Sequence, residues 1–223
     1  MLRDIFFYLK KSVTFFDLQV KSIAPVIFIV TLGINLIYAL SDNGAKMDIS
    51  GLIIGLAVSL FINMISLIYL YAAIKEAKNE PYTAWDCLRE TGRNFFKLLV
   101  MSVLKVVLVS VGILLYVVPG IIVAIMFLFS ECIVLDSGKP VNESMKQSKA
   151  MTSGKKLTLF RIILFCDAVI FFFIVLLLSM FASNNDAIFA YACMFLVAIY
   201  SLMQNKRLAY LYVDVEYGKE EDR

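Results

Sequence analysis

Six long apolar runs, each nearly free of charged side chains, divide this chain. They cover residues 22–40, 51–74, 95–118, 120–135, 157–181 and 187–210. A helix needs about 20 apolar residues to cross the roughly 30 Å hydrocarbon core of a bilayer. Five runs approach or exceed that length, whereas the fourth rises only about 24 Å, so we expect local thinning there or a boundary shifted past Pro119. The chain is 61% hydrophobic, against about 45–50% in a soluble domain, which also favours a membrane protein.

Polar turns and basic segments alternate between the apolar runs. Short turn sequences, Ser-Asp-Asn-Gly at 41–44 and Ser-Asn-Asn-Asp at 183–186, follow the first and fifth runs. A Pro-Gly pair at Pro119 and Gly120 separates the third run from the fourth. Longer polar segments follow the second and fourth runs. This order predicts an all-α polytopic membrane protein with six transmembrane helices arranged as three helical hairpins.

The Lys and Arg residues predict the orientation. Of the 21 in the chain, all except Lys46 and Lys105 lie before the first run, after the second, after the fourth or around the C-terminal end. Segments rich in Lys and Arg stay on the cytoplasmic side. We therefore expect a multi-pass membrane protein with both termini in the cytoplasm. This basic face would contact anionic inner-leaflet headgroups, and nucleic-acid binding is not expected because the membrane face needs these residues.

Amphipathic surface helices are expected before spans 1, 3 and 5. In residues 1–21, the residues Phe6, Leu9, Val13 and Phe16 share one helical face. This helix would lie in the membrane interface or pack on the protein's own bundle, and the two are compatible.

The second and third surface helices carry their own boundary signals. The segment from Thr83 to Asp86 resembles a capping box. In the third segment, 137–156, Pro140 is placed to start a helix and Gly154 to end it. Surface helix, span, turn and second span then recur, which predicts a single membrane domain, 1–223, with a three-fold repeat over 1–75, 80–136 and 139–215.

The chain contains no histidine, which removes Ser-His and Cys-His nucleophile pairs and imidazole metal ligands. The four cysteines stand apart at positions 87, 132, 166 and 193, without a CxxC motif. Free thiols used as small apolar side chains are expected, with a redox role as the alternative. We expect no catalytic residue, no metal and no cofactor.

Charged residues inside the spans are the candidates for a functional site, because a charge at mid-bilayer costs at least about 2.5 kcal/mol. Lys105 and Asp167 each lie ten residues into a span that starts on the cytoplasmic side, so both side chains would be about 15 Å deep. We expect them to pair. The pair either stabilises the packing of the bundle or forms a polar point on a substrate or proton route.

Three further residues belong to this candidate set. Glu131 and Arg161 lie at matching depth on the fourth and fifth spans, which predicts a salt bridge. Alternatively, Arg161 contacts a lipid headgroup. Asn63, together with Ser66, gives the second span a polar side, which either makes interhelical hydrogen bonds or lines a substrate path.

Short motifs around the fourth run resemble a bacterial family of six-span membrane proteins. They read Val118-Pro119-Gly120-Ile-Ile, Phe129-Ser-Glu131, Val134-Leu135-Asp136, Glu143-Ser-Met-Lys-Gln-Ser148 and Thr152-Ser-Gly154-Lys155. The later Tyr210-Leu-Tyr212-Val-Asp214 is similar to the motif that closes the last helix of that family, although Val215 to Gly218 replace the basic residues that usually follow.

The family comprises YciC-like inner-membrane proteins and the membrane domain attached to some glycerophosphodiester phosphodiesterases. The resemblance implies a six-helix integral membrane fold. It implies no catalytic residue here, because the phosphodiesterase activity of such proteins belongs to a separate soluble domain, which we expect to be absent.

Three functions follow as hypotheses. The first is a non-enzymatic bacterial inner-membrane protein that handles or senses a lipid or another hydrophobic molecule; a dry bundle with lateral grooves would favour it. The second is a small transporter, or a transporter subunit, with Lys105, Asp167 and Asn63 along a path; a continuous polar cavity reaching Lys105 from one face would favour it. The third is an accessory or self-immunity protein acting through a protein partner, or as a homo-oligomer, through an exposed apolar patch.

Overall fold

The computed structural model describes residues 2–41, 49–181 and 186–218, and this part of the chain forms ten α-helices. They are α1 (Leu2–Val13), α2 (Ile23–Ser41), α3 (Ile49–Ala77), α4 (Ala84–Arg93), α5 (Phe95–Leu115), α6 (Val117–Met126), α7 (Ser130–Ser137), α8 (Val141–Thr152), α9 (Lys156–Phe181) and α10 (Asp186–Glu216). The turn residues expected at 42–44 and 183–185 lie outside the described residues.

Four helical stretches are long and apolar enough to cross a membrane. They are Ala57–Ala77, Phe95–Leu115, Val117–Ser137 and Lys156–Ser179, and a shorter apolar helix covers Ile23–Ile37. The all-helical fold and its compatibility with a membrane are therefore confirmed. The fourth stretch begins at Val117, which confirms that the boundary of the short fourth run is shifted to the other side of Pro119.

The turn between α5 and α6 is centred on Tyr116, not on Pro119 and Gly120 as predicted. Tyr116 has extended backbone angles, and α6 starts directly after it. Proline is tolerated in the first turn of a helix because its missing N–H would have no partner there. Pro119 therefore lies in the first turn of α6 instead of making the turn between the two helices.

Two glycines bring the backbones of α5 and α6 into contact just beyond this turn. A Cβ atom added to Gly112 would lie 2.8 Å from the Cα of Gly120. A Cβ on Gly120 would lie 2.9 Å from the backbone nitrogen of Ile113. The closeness of this hairpin thus depends on the absence of side chains at both positions.

The apolar stretch Val117–Ser137 is not one continuous helix, since a break over 127–129 separates α6 from α7. Ser148 of α8 satisfies backbone groups at this break. Its hydroxyl donates to the carbonyl of Met126 at 2.9 Å and accepts from the N–H of Phe129 at 3.2 Å. Buried backbone groups that leave a helix need partners of this kind, because an unpaired buried N–H or C=O group costs free energy.

The surface helices α4 and α8 begin where the sequence predicts. Thr83 caps α4, accepting from the N–H of Asp86 while the Asp86 carboxylate accepts from the N–H of Thr83, so the capping box is confirmed. Pro140 is the N-cap of α8, and the helix ends at Thr152, two residues before Gly154 with its positive φ of 75°.

Helix α1 has two apolar faces. Ile5 and Tyr8 are buried against the bundle, where α1 contacts α9 and α10. On the face expected from the sequence, Phe6 and Val13 are exposed, whereas Leu9 is half-buried against the core; Phe16 is exposed but lies in the turns after the helix. The packing of α1 on the protein's own bundle is therefore confirmed, and its place in the membrane interface stays a prediction.

The ends of α3, α7 and α10 meet in a hydrogen-bonded cluster around Asp136. Its carboxylate accepts from Lys78 at 2.5 Å, from Tyr212 at 2.9 Å and from Tyr217 at 2.8 Å. Burial opposes the charge of Lys78, but its hydrogen bonds to Asp136 and Tyr217 outweigh that effect and raise its pKa. We call this end of the bundle, together with α1, α4 and α8, the packed end.

Burial divides the bundle into two halves. In the packed half, next to the packed end, most residues of 64–77, 98–102, 125–135 and 198–213 are buried or half-buried. In the exposed half, most residues of 103–118 and 171–179 are exposed and apolar, and so are Phe189, Tyr191, Phe195 and Val197 of α10. The three-fold repeat of the chain stays a prediction.

Candidate functional site

A polar cavity of about 240 Å³ lies where the packed half meets the exposed half. Leu128, Ile163, Leu208 and Leu211 form its apolar lining. Seven polar side chains complete it, namely Asn63, Lys105, Glu131, Asp167, Gln204, Asn205 and Arg207. Four of these seven are charged, and their formal charges sum to zero.

Lys105 of α5 pairs with Glu131 of α7, with the ammonium nitrogen 2.8 Å from the carboxylate. The second carboxylate oxygen of Glu131 accepts from the hydroxyl of Ser102 at 3.1 Å. Glu131 also lies in the first turn of α7, where the helix dipole favours a negative charge. Three features of the fold therefore stabilise this carboxylate.

Asp167 of α9 pairs with Arg207 of α10, with Nη2 of the guanidinium 2.6 Å from the carboxylate. The phenol of Tyr200 also faces Asp167. Nη1 of Arg207 is buried and has no hydrogen-bond partner in the described part of the chain. The guanidinium is thus held from one side by a single carboxylate.

The predicted pairing of Lys105 with Asp167 is wrong, although both side chains line the same cavity. Helix α5 packs on α7, whereas α9 packs on α10. Each charge therefore finds its partner on the adjacent helix.

The predicted salt bridge between Glu131 and Arg161 is also wrong. Arg161 is exposed and does not line the cavity. It precedes Asp167 by six residues, which rotates it about 120° around α9. Glu131 is paired with Lys105 instead, and the Arg161 side chain points away from the site.

Asn63 lines the cavity, but Ser66 does not join it. The Ser66 hydroxyl donates to the backbone carbonyl of Asn63 at 2.8 Å within the same helix. The expected interhelical hydrogen bond of Ser66 is therefore absent from the described residues, and Asn63 alone presents the polar side of α3 to the site.

Sequence reasoning missed the contribution of α10. Lys206 and Arg207 were counted as basic residues at the cytoplasmic end of the last span, yet both are buried. Lys206 donates to the carbonyls of Thr14 at 2.7 Å and Asp17 at 2.6 Å, in the turns after α1. The chain has no Pro or Gly between Lys206 and Gly218, a signal that the helix continues and carries both residues into the bundle.

The two ion pairs share one feature that decides what the cavity can do. The side chains of Glu131 and Arg207 are only 8% and 5% exposed, whereas those of Lys105 and Asp167 are each 27% exposed. In each pair, a buried side chain binds a partner that is more exposed. The cavity therefore has a cation on its α5 wall and an anion on its α9 wall.

A second polar cavity, of about 270 Å³, lies at the packed end between α4, α5 and the end of α7. The ammonium of Lys97 crosses it and donates to the carbonyl of Gly138 at 2.7 Å and to Asn94 at 3.2 Å. None of the sequence-predicted site residues lines this cavity.

The four cysteines are free thiols; three of them are buried and Cys193 is half-buried. Burial raises the pKa of Cys87, which lies outside the apolar stretches on α4, to about 11. A thiol with so high a pKa carries little thiolate at neutral pH and is a poor nucleophile. Its environment therefore matches that of a small apolar side chain.

Comparison of the chain with protein-family models, with curated proteins and with solved structures finds no match.

Proposed function

We propose that this chain is a non-enzymatic protein of the bacterial cytoplasmic membrane that binds a lipid or another amphiphilic molecule, with the polar group of that molecule in the charged cavity. The observation that carries the proposal is the position of the cavity, between a hydrogen-bonded half and a half whose side chains are apolar and exposed. The cavity is polar, unlike the dry bundle with lateral grooves expected to favour lipid handling, so the proposal is confined to a guest with a polar group, which can bind the remaining hydrogen-bonding positions of Lys105 and Asp167.

The apolar part of the guest would lie along the exposed half. Phe171 follows Asp167 by four residues and therefore lies on the same face of α9, one turn further from the packed end. It is exposed, as are Val107 and Val111 of α5. A molecule with its head between α5 and α9 would thus have apolar side chains beside its tail.

Filling the cavity tests this proposal. Ile163→Trp places a large side chain in the lining, and Leu176→Trp places the same side chain on the exposed half of α9 as a matched control. We expect wild type and Leu176→Trp to retain a specific lipid through purification in detergent, and Ile163→Trp to lose most of it. Mass spectrometry of the lipids extracted from the three purified proteins measures this retention. Equal retention by Ile163→Trp, or no specific lipid on the wild type, would overturn the proposal.

A small transporter is the second candidate, favoured because Lys105, Asp167 and Asn63 line one cavity. The two functions differ in access. In a background with all four cysteines replaced by alanine, Asn63→Cys in a transporter would react with an impermeant maleimide from both sides of the membrane. In a protein that only holds a lipid, it would react from one side at most. Labelling of oriented vesicles separates these outcomes, and Ile54→Cys, exposed on the same helix, controls for reagent access.

For the membrane arrangement we propose six spans with both termini cytoplasmic, as in the family that the sequence resembles. The position of α1 supports an even number of crossings, since the Tyr8 hydroxyl donates to Asp214 at 2.7 Å and so places the first helix beside the end of the last. Periplasmic reporter enzymes fused after residues 44 and 184 should be active, and fusions after 138 and 218 inactive. The reverse pattern, or activity at only one of the first two sites, would contradict this arrangement.

A further inference from the structure

We propose that the cavity selects a zwitterionic group, in which a primary ammonium and a phosphate or carboxylate lie on one molecule. This inference rests on the proposed function and names the class of head group. It follows from the two half-exposed charges: Lys105 and Asp167 line the same cavity from different helices, are each 27% exposed, and do not pair with each other.

The anionic part of such a guest would bind Lys105. Its ammonium has three N–H donors and uses one on Glu131 at 2.8 Å. The Glu131 carboxylate is nearly buried and accepts from Ser102 as well as from Lys105. A guest phosphate or carboxylate could therefore take the other donors of Lys105 without displacing Glu131.

The cationic part of the guest would bind Asp167. Arg207 occupies one oxygen of this carboxylate from the buried side, and the side chain still reaches the cavity. A carboxylate offers about four acceptor positions, so one guanidinium nitrogen and the phenol of Tyr200 do not saturate it. The amides of Gln204 and Asn205 also line the cavity and supply neutral donors and acceptors around both charges.

A guest with a single charge fits less well. A purely anionic head group would be attracted to Lys105 but repelled by the nearby Asp167. A purely cationic head group would be attracted to Asp167 but repelled by Lys105. Because the four protein charges sum to zero, a guest with no net charge enters at the lowest electrostatic cost. At membrane depth the low dielectric makes this difference large.

The test titrates delipidated wild-type protein in detergent with four probes by calorimetry. The probes are short-chain phosphatidylethanolamine, phosphatidylglycerol and phosphatidylcholine, and free phosphoethanolamine. We expect phosphatidylethanolamine to bind on the order of tenfold more tightly than phosphatidylglycerol, since a hydrogen bond to a charged group contributes about that factor. Phosphatidylcholine, which has no N–H donor, should fall between them.

Two substitutions assign the charges. Asp167→Asn should reduce the affinity for phosphatidylethanolamine to that for phosphatidylglycerol without weakening the latter, and Lys105→Met should weaken both lipids. Glu143→Gln and Lys146→Met, at exposed positions of α8, are the matched controls. Asp167→Glu and Lys105→Arg should keep the preference for the zwitterion, which covers the case in which a neutralised variant fails to fold.

The outcomes separate the two proposals. Equal binding of phosphatidylethanolamine and phosphatidylglycerol overturns the zwitterion inference and leaves lipid binding intact. Binding of free phosphoethanolamine but of no lipid supports the inference, assigns the cavity to a soluble zwitterion and overturns the lipid proposal. Binding of none of the four probes overturns both.

Discussion

The packed half and the exposed half are built from the same kinds of helix but are held together by different forces. Polar groups crosslink the packed half at many points, including the Asp136 cluster and the contacts of Lys206 and Ser148 with backbone carbonyls. The exposed half contributes apolar side chains directed outward, such as Leu114 and Phe172, and α5 and α6 make a close backbone contact at Gly112 and Gly120.

This difference indicates which part of the fold contributes most to its stability. In lipid, apolar side chains gain little by moving from acyl chains to a protein interior, so helix association depends on packing and hydrogen bonds. The packed half supplies both, whereas the side chains of the exposed half are directed away from the bundle. The charged cavity lies at the boundary between the two halves.

The largest expected effect comes from breaking the Asp136 cluster. Asp136→Ala leaves the ammonium of Lys78 nearly buried without its carboxylate and removes the acceptor of two tyrosines. Removing one partner of a buried ion pair costs about 4 kcal/mol. Unfolding of the purified protein by a denaturing detergent measures this, with the exposed Glu143→Ala as the control. A loss no greater than that of the control would mean that the cluster does not hold the packed half.

A pair of leucine truncations compares the halves directly. Leu98 is fully buried in the packed half, whereas Leu176 is 51% exposed on α9. Leu98→Ala should lower the free energy of unfolding by about 3 kcal/mol because it leaves a cavity. Leu176→Ala should change it by no more than about 0.5 kcal/mol. The same unfolding assay in bicelles compares them, and equal losses would show that the exposed half is packed in the membrane.

The α5–α6 hairpin should be the sensitive point of the exposed half. Gly120→Ala forces a Cβ against the backbone of Ile113, and overpacking of this kind costs about 2 kcal/mol. Gly33→Ala on α2 is the matched control, because a Cβ there meets nothing within 4 Å. Thermal inactivation of lipid retention reports both variants. A tolerated Gly120→Ala would indicate that the hairpin opens freely.

The smallest effect is expected at the α4 cap. Thr83→Ala removes one half of the capping box and should destabilise this helix by about 1 kcal/mol, with Thr158→Ala, exposed on α9, as the control. Hydrogen exchange of the α4 amides measures the change locally. Unchanged exchange in Thr83→Ala would show that packing alone holds this helix.

The same cap makes a pH prediction. Hydrogen bonds from the Thr83 hydroxyl and backbone N–H lower the pKa of Asp86 below its ordinary 3.8. The stabilisation is therefore fully present above pH 3.8 and is lost as the pH falls through the lowered value. The protection of the α4 amides, relative to their intrinsic exchange rates at the same pH, should fall only in that acid range, and Asp86→Asn should abolish this fall.

The sequence by itself determined the features that depend on neighbouring residues. Apolar runs located the long helices, Thr83 and Asp86 defined the start of α4, and Pro140 that of α8. These signals are local, because a helix is stabilised by bonds between residues four apart and its ends by side chains within one turn. The candidate site was partly predictable for the same reason, since charges within apolar runs pointed to Lys105, Glu131 and Asp167.

Only the tertiary structure decided how those charges combine. Each residue turns a helix by about 100°, so a pairing depends on the relative rotation and depth of two helices, which no local pattern records. Lys105 therefore met Glu131, Asp167 met Arg207, and Arg161 faced outward. The cavity is lined by residues of α3, α5, α7, α9 and α10, so it is a property of the packing of helices distant in the chain and not of any one segment.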